Sequence, residues 1–170
     1  MGFGVIWRKW ILSCLQSATI SVLVNGSPTN EFKLKRGVRQ GDPLSPFLFI
    51  LAAEGLNVIT KGVVNSNMFK GVEIGSEKIF ISHLQYADDT IFFGEWSEGN
   101  LRNLMKLLKC FELTSGLKVN YNKSNLFGIG VEKRVVENMA SVYKCKVGTF
   151  PFIYLGLPVG GRMSKLEPDN

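Results

Sequence analysis

Two adjacent carboxylates, Asp88 and Asp89, sit between two apolar β-type runs in the segment from Phe80 to Phe93. Successive side chains of a regular strand point to opposite faces, so the pair can act together only at a turn. A tight turn between two β-type runs, Ile79 to Tyr86 and Thr90 to Phe93, presents at least one of them at a hairpin tip. Two bare carboxylates ~4 Å apart repel by about 4 kcal/mol at an effective dielectric near 20. Flanking hydrophobes add a desolvation penalty. A divalent cation relieves both. Mg2+ takes oxygen ligands, often one or two carboxylates together with substrate phosphates, so the chemistry within reach is metal-assisted transfer at a phosphate. The plain alternative is a solvent-exposed acidic turn. His83 lies in the same stretch with no matching cluster of zinc ligands, and reads as a structural strand residue.

The flanking elements must position that pair. Apolar pairs at Ile6/Trp7, Trp10/Ile11 and Cys14/Leu15 have helical spacing. The run Ile20 to Val24 is strand-like, and Asn25-Gly26 after it is the strongest short-range hairpin signal. Phe32 to Lys35 reads as the returning strand, and Gly37 to Leu44 as a loop. Ser45-Pro46 has the form of an N-cap followed by proline at the first helical position. The following Phe47 to Ile59 stretch is apolar nearly all round except Glu54 and Asn57, which places it in a core. Gly71 to Ile74 reads as a strand. Ser97 caps a helix with an apolar stripe at Leu101, Leu104, Met105, Leu108 and Phe111, ending at Gly116. Beyond it lie a strand at Leu126 to Ile129, a helix near Glu132 to Ser141 and an extended run at Phe152 to Leu155. This mixture predicts an α+β domain with an antiparallel sheet and helices packed on one face.

Composition is consistent with one folded unit. Hydrophobic residues make up 45% and aromatics 11% of 170 residues, enough to argue against disorder. Lys and Arg total 20 against 14 acids, a net charge of +6 that suits a polyanion partner. The basic residues recur in groups: Lys33, Lys35, Arg36 and Arg39; Lys118 and Lys123; Lys144 and Lys146. Each reads on its own as a solvated face. Cys14, Cys110 and Cys145 are odd in number and far apart, which excludes a disulfide framework and predicts small buried hydrophobes in a reducing compartment. The longest apolar run, around Phe47 to Ala53, is too short to span a bilayer, so no membrane partner is expected.

Four segments together resemble one family. Tyr86-Ala87-Asp88-Asp89 is similar to the tyrosine-x-aspartate-aspartate box of reverse transcriptases. Arg36 to Phe49, with Gln40-Gly41-Asp42-Pro43-Leu44-Ser45-Pro46 at its centre, resembles the motif that opens a palm helix. Ser115 to Ser124 and Tyr154 to Gly160 resemble the next two motifs, in the family's order. The resemblance is to plant non-LTR retrotransposons of the long-interspersed-element type and covers nearly the whole chain. It implies a partial polymerase palm carrying a Tyr-Ala-Asp-Asp β-hairpin, from an RNA-directed DNA polymerase that uses Mg2+, or Mn2+, in a two-metal mechanism. RNA template, DNA primer and dNTP are the implied partners, in the nucleus or cytoplasm. Asp88 and Asp89 would ligate metal. Gln40, Gly41, Tyr86 and Ala87 would lie at the nucleotide. Lys123, with Lys118 as competitor, would be the proton donor to pyrophosphate, and Tyr154, Leu155 and Gly156 would position the primer.

The sequence departs from the family pattern in one chemical respect. A palm has another aspartate on a neighbouring strand, and no equivalent occurs in residues 1–170; Asp42, Glu73, Glu77 and Glu95 lack the expected setting. The expectation is therefore one partial domain, without fingers, first aspartate motif or thumb, with an incomplete two-metal site. Such a chain is expected to be inactive and poorly stable alone. The alternative is a non-catalytic nucleic-acid-binding remnant.

Overall fold

The computed structural model describes residues 2–34 and 41–161. The chain opens with helix α1 (Val5–Ser17), in which Phe3 stacks on Trp7 with ring centroids 4.1 Å apart. A hairpin follows. Asn25 and Gly26 take φ of 49° and 81°, the two positive values of a type I′ turn. They join β2 (Leu23–Val24) to β3 (Ser27–Pro28), while β1 (Thr19–Ile20) pairs antiparallel with β4 (Phe32–Lys33). The turn is where the sequence puts it. The return begins at Ser27, earlier than expected, and Phe32–Lys33 closes the open end of the ladder.

Helix α2 (Leu44–Asn65) starts one residue before the expected cap. Asp42 carries the start: its Oδ1 accepts from the Leu44 amide at 2.8 Å and its carbonyl accepts from the Ser45 amide at 3.0 Å. Pro43 is the N-cap residue and makes no side-chain cap bond. The Ser45-Pro46 reading is therefore corrected. Pro46 sits in the first turn, where a missing N–H is one of the four without an intrahelical partner. The core assignment of this helix holds only for one stripe, since Leu56 and Thr60 are buried while Ile50 and Val58 are more than half exposed. The helix also runs on to Asn65, past the Ile59 at which the sequence reading ended it. Its 22 residues, with a mean hydropathy of 1.7 in the most apolar window, are long and apolar enough to cross a membrane.

Strands β5 (Val72–Ile74) and β6 (Ile79–Ile81) form one hairpin, and β7 (His83–Tyr86) and β8 (Asp89–Phe92) the next. Ser82 breaks what the sequence reads as one run. Helix α3 (Glu98–Ser115) then begins and ends as expected. The Ser97 hydroxyl accepts from the Asn100 amide at 3.0 Å, and Gly116 closes the helix at φ 76°. Packing of α3 on α2 makes the main core from Leu56, Leu107, Leu108 and Phe111. Phe92 of β8 and Leu117, Val119 and Tyr121 pack against it, so the acidic hairpin and the segment leading to Lys123 are fastened to one core.

A 3-10 turn (Tyr121–Lys123) leads to β9 (Asn125–Leu126), α4 (Lys133–Tyr143) and β10 (Lys146–Val147); β10 pairs with β9 in parallel. Strands β11 (Phe152–Tyr154) and β12 (Leu157–Val159) form the last hairpin, turned by Leu155 at φ 51° and Gly156 at φ 81°. Phe152 of β11 stacks on Phe127 at 4.3 Å, and Phe150 packs on both at tilted angles, with centroids 5.2 and 5.6 Å away. The architecture is α+β with four helices among the described residues. The expected sheet is instead a set of two-stranded ladders, five antiparallel and one parallel. The cysteine reading is corrected as well: Cys14 and Cys110 are exposed and Cys145 is half-buried. Positions on the outer faces of α1 and α3 are open to water whatever their polarity.

Much apolar surface remains uncovered. Trp10, Ile6, Leu23, Leu113 and Val142 are each 66% or more exposed. Exposed large apolar side chains in this number favour association. At micromolar concentration the chain is expected to bind a hydrophobic dye strongly and to elute from size exclusion ahead of an 18.9 kDa monomer. A dye-silent monomer with a sharp melt would count against that expectation.

Candidate active site

Tyr86 pairs with Asp89 across the β7–β8 ladder, so Ala87 and Asp88 are the two loop residues. Ala87 has φ 49° and Asp88 does not share the positive region. One positive φ at the first loop position matches a type II′ turn, whose twist suits a two-residue hairpin. The pleat divides the ribbon by face. The pairs His83–Phe92 and Gln85–Thr90 are half-buried toward α2 and α3, whereas Tyr86, 64% exposed, and Asp89 lie on the outer face. Asp88 stands at the tip. The aspartates are therefore adjacent and reachable together, which an unbroken strand would forbid.

Both aspartates are exposed, and neither forms an ion pair among the described residues. This corrects the desolvation argument made from the flanking hydrophobes: Phe92 packs on the core, Leu84 and Tyr86 are themselves about half exposed or more, and the carboxylates face water. Water alone can support both charges. Two unpaired, solvent-accessible carboxylates do suit a hard cation that keeps part of its water shell. No group of three His, Cys, Asp or Glu side chains converges among the described residues.

The hairpin β11–β12 comes against this ribbon. The Tyr154 hydroxyl donates to the Asp89 carbonyl oxygen over 3.5 Å, joining residues 65 apart in sequence. Partial burial of the phenol, and then the nearby Asp89 carboxylate, hold the Tyr154 pKa above its usual value. Leu155 and Gly156 are the turn beside it. Lys123 ends the 3-10 turn, exposed, with no bond to either aspartate among the described residues. Gly41 is exposed at φ 82°, with open space where a Cβ would stand; a side chain there is strained by the backbone rather than by a neighbour. Gln40 lies outside the described residues.

An open groove of about 880 Å3 runs between α2 and β6–β7 and ends at Ala87. Glu54, Asn57 and Lys61 line it from the helix, and His83 and Gln85 from the strand. Sequence reasoning read His83 as a structural strand residue and left the others unassigned, although the spacing of Glu54, Asn57 and Lys61 is a signal: polar positions three and four apart on an apolar helix mark one face. His83, the chain's single histidine, stacks on Phe92 at 5.9 Å, and its Nδ1 meets the Ser82 hydroxyl at 3.1 Å. Burial, and then the Lys61 ammonium, lower its pKa. The folded state thus favours neutral imidazole. Stability from this group is present above the unfolded pKa of about 6.5 and is lost as pH falls through the lower folded value. Unfolding midpoints in urea are expected to drop on acidification below that point, less steeply in His83→Gln. An unchanged acid slope in the variant would refute this.

Comparison with known proteins fits this geometry. Residues 1–159 match the model of the reverse transcriptase (RNA-dependent DNA polymerase) family, and the chain belongs to that family. It is 31% identical over 159 residues, 91% of its length, to the retrovirus-related Pol polyprotein from type-1 retrotransposable element R2 of Popillia japonica. It is 33% identical over 105 residues to the Pol polyprotein from type-2 retrotransposable element R2DM of Drosophila melanogaster. The chain covers 20% and 9% of those polyproteins. An uncharacterized mitochondrial protein of Arabidopsis thaliana is 33% identical over 108 residues, which is 64% of this chain and 88% of that protein. The non-LTR retrotransposon assignment made from the four motifs thus holds at the level of the family.

Proposed function

We propose that the β7–β8 hairpin is the metal-binding hairpin of an RNA-directed DNA polymerase palm, with Asp88 as metal ligand and Asp89 as a second ligand or electrostatic support. The observation that carries this reading is the pair of unpaired carboxylates at a two-residue turn, braced by Tyr154 of the neighbouring hairpin. When bound, Mg2+ or Mn2+ would supply the clamp on the attacking and leaving oxygens of nucleotidyl transfer. The chain's own residues would do the rest. Gln40, Gly41, Tyr86 and Ala87 flank the dNTP, Lys123 hands a proton to the departing pyrophosphate, and Tyr154, Leu155 and Gly156 steady the DNA primer on its RNA template. The described residues bring no third His, Cys, Asp or Glu to this pair, so the two-metal site is incomplete among them, the polypeptide alone is inactive, and a further carboxylate completes the site.

A second reading, a nucleic-acid-binding module without catalysis, is favoured by the lack of a third converging His, Cys, Asp or Glu among the described residues. Mn2+ titration followed by electron paramagnetic resonance separates them. The chain is expected to take up Mn2+ weakly and more tightly with dNTP present, and Asp88→Asn with Asp89→Asn is expected to remove that uptake. Retained uptake in the double variant, matched by loss in Glu73→Gln with Glu77→Gln, would refute the metal-site assignment.

A further inference from the structure

The groups Lys118/Lys123 and Lys144/Lys146, separate in sequence, are brought together by the fold. Leu117, Val119 and Tyr121 pack on the main core, and Lys118 and Asn120, which alternate with them, are exposed. The 3-10 turn then ends at Lys123, also exposed. Strand β10 returns beside it: the Lys146 amide donates to the Ser124 carbonyl at 2.9 Å, and Lys146 lies opposite Asn125 in the parallel pair. Strand spacing is about 4.8 Å, so Lys146 stands within one side-chain length of the Lys123 turn. Lys144 is the C-cap of α4 at φ 57°, which swings the chain toward β10.

None of the four lysines forms an ion pair among the described residues. The nearby acids are engaged elsewhere: Glu112 with Lys109 at 3.0 Å and Glu137 with Lys133 at 3.7 Å. Asn122 and Asn125 add exposed amide donors between the charges. Four like charges with no partner repel one another modestly in water. A polyanion would relieve this, and neutral amides beside lysines suit phosphate oxygens.

We propose that Lys118, Lys123, Lys144 and Lys146 form a face that binds the sugar-phosphate backbone of nucleic acid, on elements other than the acidic hairpin. The proposal rests on the nucleic-acid reading of the family but not on metal binding at Asp88 and Asp89. It is tested on the full chain by fluorescence anisotropy with labelled RNA and DNA single strands of equal length, in EDTA, between roughly 50 and 200 mM salt. Each phosphate neutralised on a single strand contributes a salt slope of about −0.7. Replacing Lys118→Gln, Lys144→Gln and Lys146→Gln together is therefore expected to flatten the slope by about two and to weaken binding at least tenfold, equally for RNA and DNA. A triple variant of the same net charge, Lys9→Gln, Lys78→Gln and Lys106→Gln, changes exposed lysines elsewhere and is expected to keep most of the slope. Equal losses in the two triple variants, no loss in the first, or a loss confined to one sugar type would overturn the proposal. Because no divalent ion is present, failure of the acidic hairpin to bind metal would leave this result untouched.

Discussion

Given an RNA template, an annealed DNA primer, dNTPs and Mg2+ or Mn2+, the chain alone is expected to yield no primer extension above background. Two carboxylates at the hairpin tip can hold part of a metal's shell, but no third His, Cys, Asp or Glu side chain converges on them among the described residues. Removal of one preorganised group that stabilises a transition state costs on the order of 10²–10³-fold in rate. Loss of a ligand that fixes the metal itself is expected to cost at least that much. Gel analysis of extended primer checks it. Robust extension that disappears in Asp88→Asn would mean that the donor set is complete within these residues, and the incomplete-site proposal would be wrong.

The largest stability effect is expected at Asn100, in the first turn of α3. Its side chain is 93% buried and ties three segments together. Oδ1 accepts from the Lys70 amide at 2.7 Å, and Nδ2 donates to the Lys70 and Glu95 carbonyls, each at 2.9 Å. Phe69 and Gly94 enclose this knot, and a Cβ on Gly94 would fall 2.7 Å from Asn100 Nδ2. Asn100→Ala strands the Lys70 amide and the Glu95 carbonyl at about 1 kcal/mol or more each, while the Lys70 carbonyl still accepts from the Glu95 amide at 3.1 Å, so a loss of roughly 2 kcal/mol is expected in urea unfolding. Asn100→Asp keeps the shape and the bond from the Lys70 amide, but turns two donor contacts into oxygen–oxygen repulsions. It is expected to be at least as damaging as alanine at neutral pH. A loss under about 1 kcal/mol in both variants would show that the knot does not hold these segments.

Local chemistry was legible in the sequence where one or two residues decide the backbone. Asn25-Gly26 specifies its turn, Ser97 and Gly116 bound α3, and Tyr86-Ala87-Asp88-Asp89 forms the two-residue hairpin expected between apolar runs. Asp42 and Ser45 both have the chemistry of a cap, and only the path of the chain chose Asp42. The role of Asn100 was hidden because its partner Lys70 lies thirty positions away. The parallel pairing that sets Lys146 beside Ser124 was hidden for the same reason. Exposure of α2 could not be read either, since an all-round apolar helix predicts burial without saying how much of it is covered. At the candidate site the residue types were legible and their surroundings were not. Asp88 and Asp89 face water, and Tyr154 meets the Asp89 backbone.

The bend between β7 and β8 is proposed to grip a divalent ion. Amide resonances of the chain titrated with substoichiometric Mn2+ in the presence of dNTP test it most directly, because paramagnetic broadening reports distance from the ion. Selective broadening of residues 86 to 90, extending to Gly41 and Tyr154 and abolished by Asp88→Asn with Asp89→Asn, is the predicted outcome. Broadening centred on other carboxylates, or none at the bend while other sites respond, would contradict it.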